Sequence, residues 1–300
     1  MKWIIKNPAP FDGRMKKWGD YHFGRSLSKW LQRSGHTVDT HYYGQWGCQA
    51  EADVTLVLRG RHRRHGRTSG LRVMWIISHP DDVTLEECAG FDLVFTASAQ
   101  HAEWLDSRLD APVYPLLQCV DSENFKPAQP KTGSARSNFV FVGNTRDTRR
   151  ESVLWAVEAG LPIKVWGRGW ESWIEKRFIV ADYLPNQNLA ALYSSAKVTF
   201  NDHWPDMSKW GFVNNRIFDA LACGLPVLSD HHKAIEDLFG EAVLYFNDQR
   251  EFSGCIDKLL LQYPLCLEKA QAAIEGVRKK HSFESRAKDL VRIVRERADS

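Results

Sequence analysis

Short apolar runs alternate with amphipathic stretches along the whole chain. In the first part, runs bounded by Gly, Pro or polar residues predict strands over residues 2–5, 37–42, 53–58, 71–77, 91–96 and 113–116. The run at 71–77 is nearly continuous in apolar residues, as expected of a parallel strand covered on both faces. Phe23, Leu27, Trp30 and Leu31 fall on one stripe of a helix over 20–33, which Gly35 stops. A second helix is expected over 99–108. Further along, strands are predicted over 139–142, 163–166, 197–201, 225–228 and 242–246. The helices there cover 149–159, a stretch ending at Ser194, 234–239, 252–262, 264–279 and 283–297. Strands alternating with helices imply doubly wound parallel sheets with right-handed crossovers, whose ligands sit beyond the strand C-termini.

The stretch from Asn201 to Asp230 carries most of the candidate chemistry. Val213, Ile217, Ala220 and Leu221 make one apolar helical stripe, while Asn215 and Asp219 lie four apart on another face with Arg216 beside them. Gly211 loosens the chain before this helix, and Gly224 with Pro226 ends it. Free N–H groups and the positive dipole end at such a helix start suit a phosphate. Asn215, Arg216 and Asp219 would then meet a diphosphate and a sugar hydroxyl; a solvated polar face is the other reading of the same pattern.

Composition narrows the setting. The chain has 300 residues, 43% apolar and 26% charged, which fits two domains of about 100–200 residues each. A net charge of +3 does not argue for nucleic acid. No apolar run approaches the roughly 18 residues of a membrane span, and the apolar run after Lys2 is too short for a signal peptide. Six cysteines without paired metal-ligand spacing predict structural thiols in a reducing, cytoplasmic compartment. Asp81 and Asp82 are adjacent acids with no third partner, so no metal site is expected. Of the twelve tryptophans, Trp166, Trp170, Trp204 and Trp210 stand beside glycine loops, where they either stack on a ligand or pack as core.

Three loops add candidates. Gly143-Asn144-Thr145-Arg146, with Arg149 and Arg150 before the next helix, would cradle a diphosphate, and spacing does not choose among the three arginines. Gly167 follows a later strand in a short Gly-x-Gly. The run Arg59–Arg67 is either a solvated loop or a landing site for an anionic acceptor or an anionic membrane surface, and it lacks interleaved aromatics. Pro, Gly and Ser without periodicity mark residues 121–137 as a linker.

Asn215-Arg216-Ile217-Phe218-Asp219, followed by Ala220-Leu221-Ala222-Cys223-Gly224-Leu225-Pro226-Val227, resembles the donor-site signature of GT-B glycosyltransferases of the group 1 type. It is most similar to the CgeB-like, spore-maturation-type branch. Val120-Asp121 and Phe125-x-Pro127 resemble the interdomain linker of the same enzymes. The resemblance implies an α/β, GT-B fold with two doubly wound, Rossmann-like domains facing across a cleft. Residues 1–120 would bind the acceptor, 138–282 would bind the nucleotide sugar, and the helix at 283–300 would pack back on the first domain. The implied reaction moves a sugar from a nucleotide-diphosphate donor, with UDP or GDP as base, to a hydroxyl of a carbohydrate or lipid-linked glycan, with retention and without a metal or other cofactor. His79, which follows a strand end, resembles the histidine near the reacting sugar in retaining relatives. Tyr183 and Leu184 stand where those enzymes meet the base, and Asp219 where they bind ribose. Gly211 occupies the position of a second acid that touches the donor sugar, so backbone amides at Gly211 and Phe212, or Asp206, would have to replace it. A sugar-nucleotide epimerase of this fold and a non-catalytic polyanion- or carbohydrate-binding protein are the alternatives.

Overall fold

The computed structural model describes residues 1–48, 50–63, 69–128 and 138–298. The chain forms two compact units. The first holds residues 1–119, 204–213 and 281–300; the second holds 120–203 and 214–280. Ten residues of the Asn201–Asp230 stretch thus belong to the first unit. The predicted linker lies largely outside the described residues.

In the first unit, β1 (Lys2–Pro10), β2 (Thr37–Tyr43), β3 (Val54–Arg59), β4 (Leu71–Ile76), β5 (Leu93–Thr96) and β6 (Val113–Pro115) form one parallel sheet in the order β2-β1-β3-β4-β5-β6. Side chains of successive residues point to opposite faces, and both faces are covered. Val73 and Trp75 pack with Phe23, Leu27, Phe283 and Leu290, while Met74 and Ile76 pack with Ala102, Leu105, Met207 and Phe212. The helix Phe283–Ala298 belongs to the first of these cores: Phe23 and Phe283 meet edge to face at 4.8 Å, and Arg286 Nε donates to the Leu117 carbonyl at 2.8 Å.

β1 runs five residues past its predicted end. Its pairing with β3 stops at Lys6, and beyond that only β2 lies alongside, so Pro8 and Pro10 remove no ladder bond that the sheet needs.

In the second unit, β7 (Phe139–Val142), β8 (Ile163–Trp166), β9 (Ile179–Ala181), β10 (Val198–Asn201), β11 (Val227–Asp230) and β12 (Val243–Phe246) form a second parallel sheet in the order β12-β11-β10-β7-β8-β9. Counted from β7, this is the Rossmann order, and the winding reverses between β7 and β10. β9 has only three residues, too few for a periodic signal. The helix predicted over 264–279 is two helices, Tyr263–Ala272 and Ile274–Lys280. Among the described residues no helix is long and apolar enough to cross a membrane.

Candidate functional site

The C-terminal ends of β7, β10 and β11 meet at the switch point of the second sheet, and each ends in polar residues. Helix Asn215–Ala222 starts there. Its N-cap, Asn214, makes no side-chain capping bond, and the positive dipole end of the helix lies at the switch point.

Arg216, in that first turn, spans the switch point. Its Nη1 donates to Asn201 Oδ1 at 2.7 Å beyond β10, and its Nε and Nη2 donate to the Val142 carbonyl at 3.3 and 3.0 Å at the end of β7. The guanidinium centre sits 4.4 Å from the Phe141 ring centroid. Burial pushes the guanidinium below its ordinary value, and it stays charged. Gly143 is part of the same packing, because a Cβ there would lie 2.8 Å from Arg216 Nη2 and 3.0 Å from the Phe141 ring. Gly167 is required for a second reason: its φ is +145°, and a Cβ would come within 2.1 Å of the Gly143 carbonyl oxygen. Trp170 Nε1 donates to that same carbonyl at 2.8 Å, and Asn144 Oδ1 accepts from Arg168 N–H at 2.9 Å. The two glycine turns therefore form one rigid rim.

Behind the rim lie a buried ion pair and a buried histidine–aspartate pair. Arg150 Nη2 meets Asp202 Oδ1 at 2.5 Å, and Ser152 Oγ donates to Asp202 Oδ2 at 3.0 Å. His203 Nδ1 and Asp230 Oδ1 are 2.8 Å apart, and the His203 N–H donates to Asp230 Oδ2 at 2.9 Å. The Asn214 N–H points at His203 Nε2 at 3.3 Å. Burial alone would raise the Asp230 carboxyl, but the His203 ring and N–H together with the Ser229 hydroxyl outweigh it and bring it down to about 2. Asn201 Nδ2 donates to Ser229 Oγ at 2.8 Å, which joins Arg216 to this pair through one continuous network.

Asp219 lies one turn further along the helix. Burial, and then the nearby Asp121 carboxylate, push it well above the usual carboxylate range, against the pull of Arg216. Asp121 comes from the Val-Asp segment that sequence reading treated only as a linker.

Residues 149–292 match a family described as glycosyl transferase-like. Sucrose-phosphate synthase of Thermosynechococcus elongatus superposes with a TM-score of 0.73 at 12% identity, over 99% of this chain and 98% of that one. HepE of Anabaena, solved with UDP and glucose, gives 0.65 at 12% identity over 98% of both chains. An alpha-glucosyltransferase solved with UDP and a 13-mer DNA gives 0.68 at 12% identity, over 98% of this chain and 99% of that one. The fold is that of the GT-B glycosyltransferases. No curated protein matches the sequence. Neither the family match nor these structures favours the epimerase or the non-catalytic reading.

Within this GT-B fold, Gly143, Asn144, Gly167 and Arg216 come together on the rim. Asn215 sits half-buried at the first helical position. Sequence reading had Arg216 on the polar face of the helix, meeting a diphosphate; the structure also bonds it to the sheet. Its three bonds to neutral acceptors make it part of the wall, with two of a guanidinium's five N–H groups left over. Among the arginines after β7, Arg150 is buried against Asp202, Arg149 is exposed and pairs with Glu151 at 2.8 Å, and Arg146 is exposed with a φ of +52°. Tyr183 and Leu184 follow β9, two strands away from the switch point.

Gly211 and Phe212 belong to the first unit. Phe212 is fully buried in its core, and the expectation for it concerned only its backbone amide. His79 follows β4 in the first unit with a φ of +54°, and its Nδ1 lies 2.9 Å from Ser78 Oγ. Trp170 and Trp210 are packing residues rather than displayed platforms: the first is fully buried, and the second donates from Nε1 to Asp81 Oδ1 at 2.6 Å. Arg59 leaves the expected basic surface altogether, since it is buried with Nε 2.9 Å from Glu87 Oε1. Residues 64–67 of that run lie outside the described residues. Sequence reading missed Asn201, Asp202, His203, Ser229 and Asp230 as a group. The available signal was that both apolar strands in this stretch end in consecutive polar residues.

Proposed function

We propose that the chain is a glycosyltransferase that moves a sugar from a nucleotide-diphosphate sugar to a hydroxyl of a carbohydrate or glycoconjugate. The observation that carries this reading is Arg216 lying across the Rossmann switch point at an uncapped helix N-terminus. A leaving nucleoside diphosphate there meets oriented N–H groups, the positive dipole end and a guanidinium held by the fold. These groups stabilise the charge that grows as the glycosidic bond breaks, and they cost little reorganisation at that moment. The described residues hold no group of three His, Cys, Asp or Glu placed to bind a metal, and the reading assigns charge compensation to the helix and the arginine. Asp219, whose carboxyl burial pushes well above the usual carboxylate range, suits a ribose hydroxyl.

In the same reading the first unit takes the acceptor, His79 stands near the reacting sugar, and Tyr183 and Leu184 approach the base. Retention of anomeric configuration rests on the resemblance to retaining enzymes and is read by proton NMR of freshly formed product. Two of the structures named above were solved with UDP, so UDP is the first base to test and GDP the second. A cytoplasmic setting belongs to the proposal, on the chemistry of six free cysteines. A lipid-linked acceptor at the inner membrane face would fit that setting.

Thermal unfolding with UDP, GDP and other nucleoside diphosphates tests the donor site. Ligand at about 100 times its Kd stabilises the fold by about 2.7 kcal/mol. If none of these ligands moves the Tm, the reading fails.

A further inference from the structure

Asp20, Ser78, His79 and Trp204 are half-buried residues of the first unit that gather at the C-terminal edge of its sheet. In the order β2-β1-β3-β4 the winding reverses between β1 and β3, the place where an open parallel sheet binds its ligand. Asp20 lies in the first turn of the helix Gly19–Arg33, which follows β1, and Ser78 and His79 follow β4. Trp204, from the segment that returns to this unit, sets its ring 6.1 Å from that of His79.

Gly60, directly after β3, makes room among them. A Cβ there would stand 3.4 Å from Asp20 Oδ1, 3.6 Å from Ser78 Oγ and 3.6 Å from Pro8 Cγ. These are ordinary contacts, and Gly60 is not among the positive-φ glycines, so the fold would accept alanine. Gly167 differs, because a Cβ there would collide with a carbonyl. The side chain that Gly60 lacks leaves the Asp20 carboxylate and the Ser78 hydroxyl beside one uncovered point. Ser78 Oγ is itself held 2.9 Å from His79 Nδ1.

A ligand group at this point meets a carboxylate, a hydroxyl able to donate or accept, and aromatic rings close by. A carboxylate offers about four acceptor positions, so Asp20 can keep its bonds within the protein and still receive a ligand hydroxyl. The same charge repels a second anion at hydrogen-bond distance. The rings of His79 and Trp204 supply apolar surface for the C–H face of a sugar.

We propose that Asp20, Ser78 and Trp204 form, beside His79, an acceptor subsite for a neutral saccharide. Asp20 and Ser78 hydrogen-bond its hydroxyls above Gly60, and Trp204 packs against its ring. This inference rests on the glycosyltransferase reading and names its acceptor class.

Saturation-transfer NMR titrations of the full chain test it with methyl glucoside, methyl galactoside, methyl mannoside and glucuronate. At least one neutral glycoside should bind, about fivefold or more tighter than glucuronate. Gly60→Ala places a methyl where the ligand hydroxyl must sit, so it should weaken that glycoside about tenfold with an unchanged Tm. Ser78→Ala and Asp20→Asn should each weaken it about fivefold. Binding of none of the neutral glycosides overturns the proposal, as does glucuronate binding equally or more tightly. Wild-type affinity in any of the three variants also overturns it, and so does a lower Tm in Gly60→Ala, which would show that the fold itself needs the glycine. Titration with UDP and GDP separates the two readings. Diphosphate binding without neutral-glycoside binding removes the subsite and keeps the transferase; the reverse keeps the subsite and removes the transferase.

Discussion

Arg216 holds the sheet reversal together, and the proposed function gives the same side chain a ligand to bind. Its three bonds tie Asn201 to Val142 across the sheet reversal, so truncation leaves a carbonyl and an amide oxygen without their donor. Arg216→Ala should therefore weaken nucleoside-diphosphate binding by about 1.5–3 kcal/mol and also destabilise the fold by about 1–3 kcal/mol. Arg216→Lys, which keeps the charge but lacks the fork, should recover part of the binding and little of the stability. Titration and urea denaturation of both variants check this, and unchanged diphosphate affinity in folded Arg216→Ala would remove the residue from the site. Asp230 gives a pH signature. Its carboxyl titrates near 2 in the folded chain against an ordinary 3.8, so its contribution is present above about pH 4 and is lost as pH falls through 2. The shift corresponds to about 2 kcal/mol. Asp230→Asn should cost about that much at pH 7, with the gap to wild type closing between about pH 4 and pH 2 in denaturant titrations. A gap that stays constant with pH would show that the carboxylate charge contributes nothing.

Among the elements, the stretch 204–213 behaves least as its position in sequence suggests. Met207 and Phe212 enter the core of the first unit. Trp210 packs 4.9 Å from His101 and 5.0 Å from Trp104, Lys209 Nζ pairs with Asp81 at 3.1 Å, and Ser98 Oγ donates to the Trp210 carbonyl. The chain then re-enters the second unit at Asn214, whose N–H meets the ring of His203, the last residue before the stretch. His101 is the sensor of this docking. Burial, with a smaller push from Lys209 that Asp81 opposes, drops its pKa to about 4. A histidine depressed from 6.5 resists the proton that the unfolded chain accepts, so stability falls as pH drops from 6.5 to 4. The loss should reach about 2 kcal/mol by pH 5. His101→Gln should flatten that slope, measured as Tm against pH by fluorescence, and an unaltered slope would show that this ring is not what titrates.

At the scale of the molecule, two parallel sheets built on one winding principle are specialised by what stands at their C-terminal edges. The second sheet ends in arginine, asparagine, aspartate and histidine fixed by mutual hydrogen bonds, whereas the first ends in stacked rings. If the diphosphate is neutralised by helix and arginine, transfer activity should persist in excess chelator. Activity lost in chelator and restored by a divalent ion would overturn that assignment.

Strand and helix existence was legible because it depends on local periodicity. Apolar runs at 71–77 and 139–142 can be buried on both sides only in a covered parallel sheet. The helix carrying Arg216 and Asp219 was legible for the same reason, since its stripe, its glycine stop and its following strand are all local. Other features depend on contacts distant in sequence, and periodicity carries no record of those. Arg59 looked like part of a solvated basic run until its partner, Glu87, was seen 28 positions away. Phe212 looked like a loop residue beside a ligand, yet it fills a core built from strands that end before residue 116. Burial, and then the charge of Asp121 brought near by the chain's return to the same unit, raise the Asp219 carboxyl. The sequence by itself determined which segments alternate as strands and helices, and which helix carries the polar face. The tertiary structure decided which of its charges are buried and what each is paired with, because burial and partnership are set by packing between segments far apart in the chain.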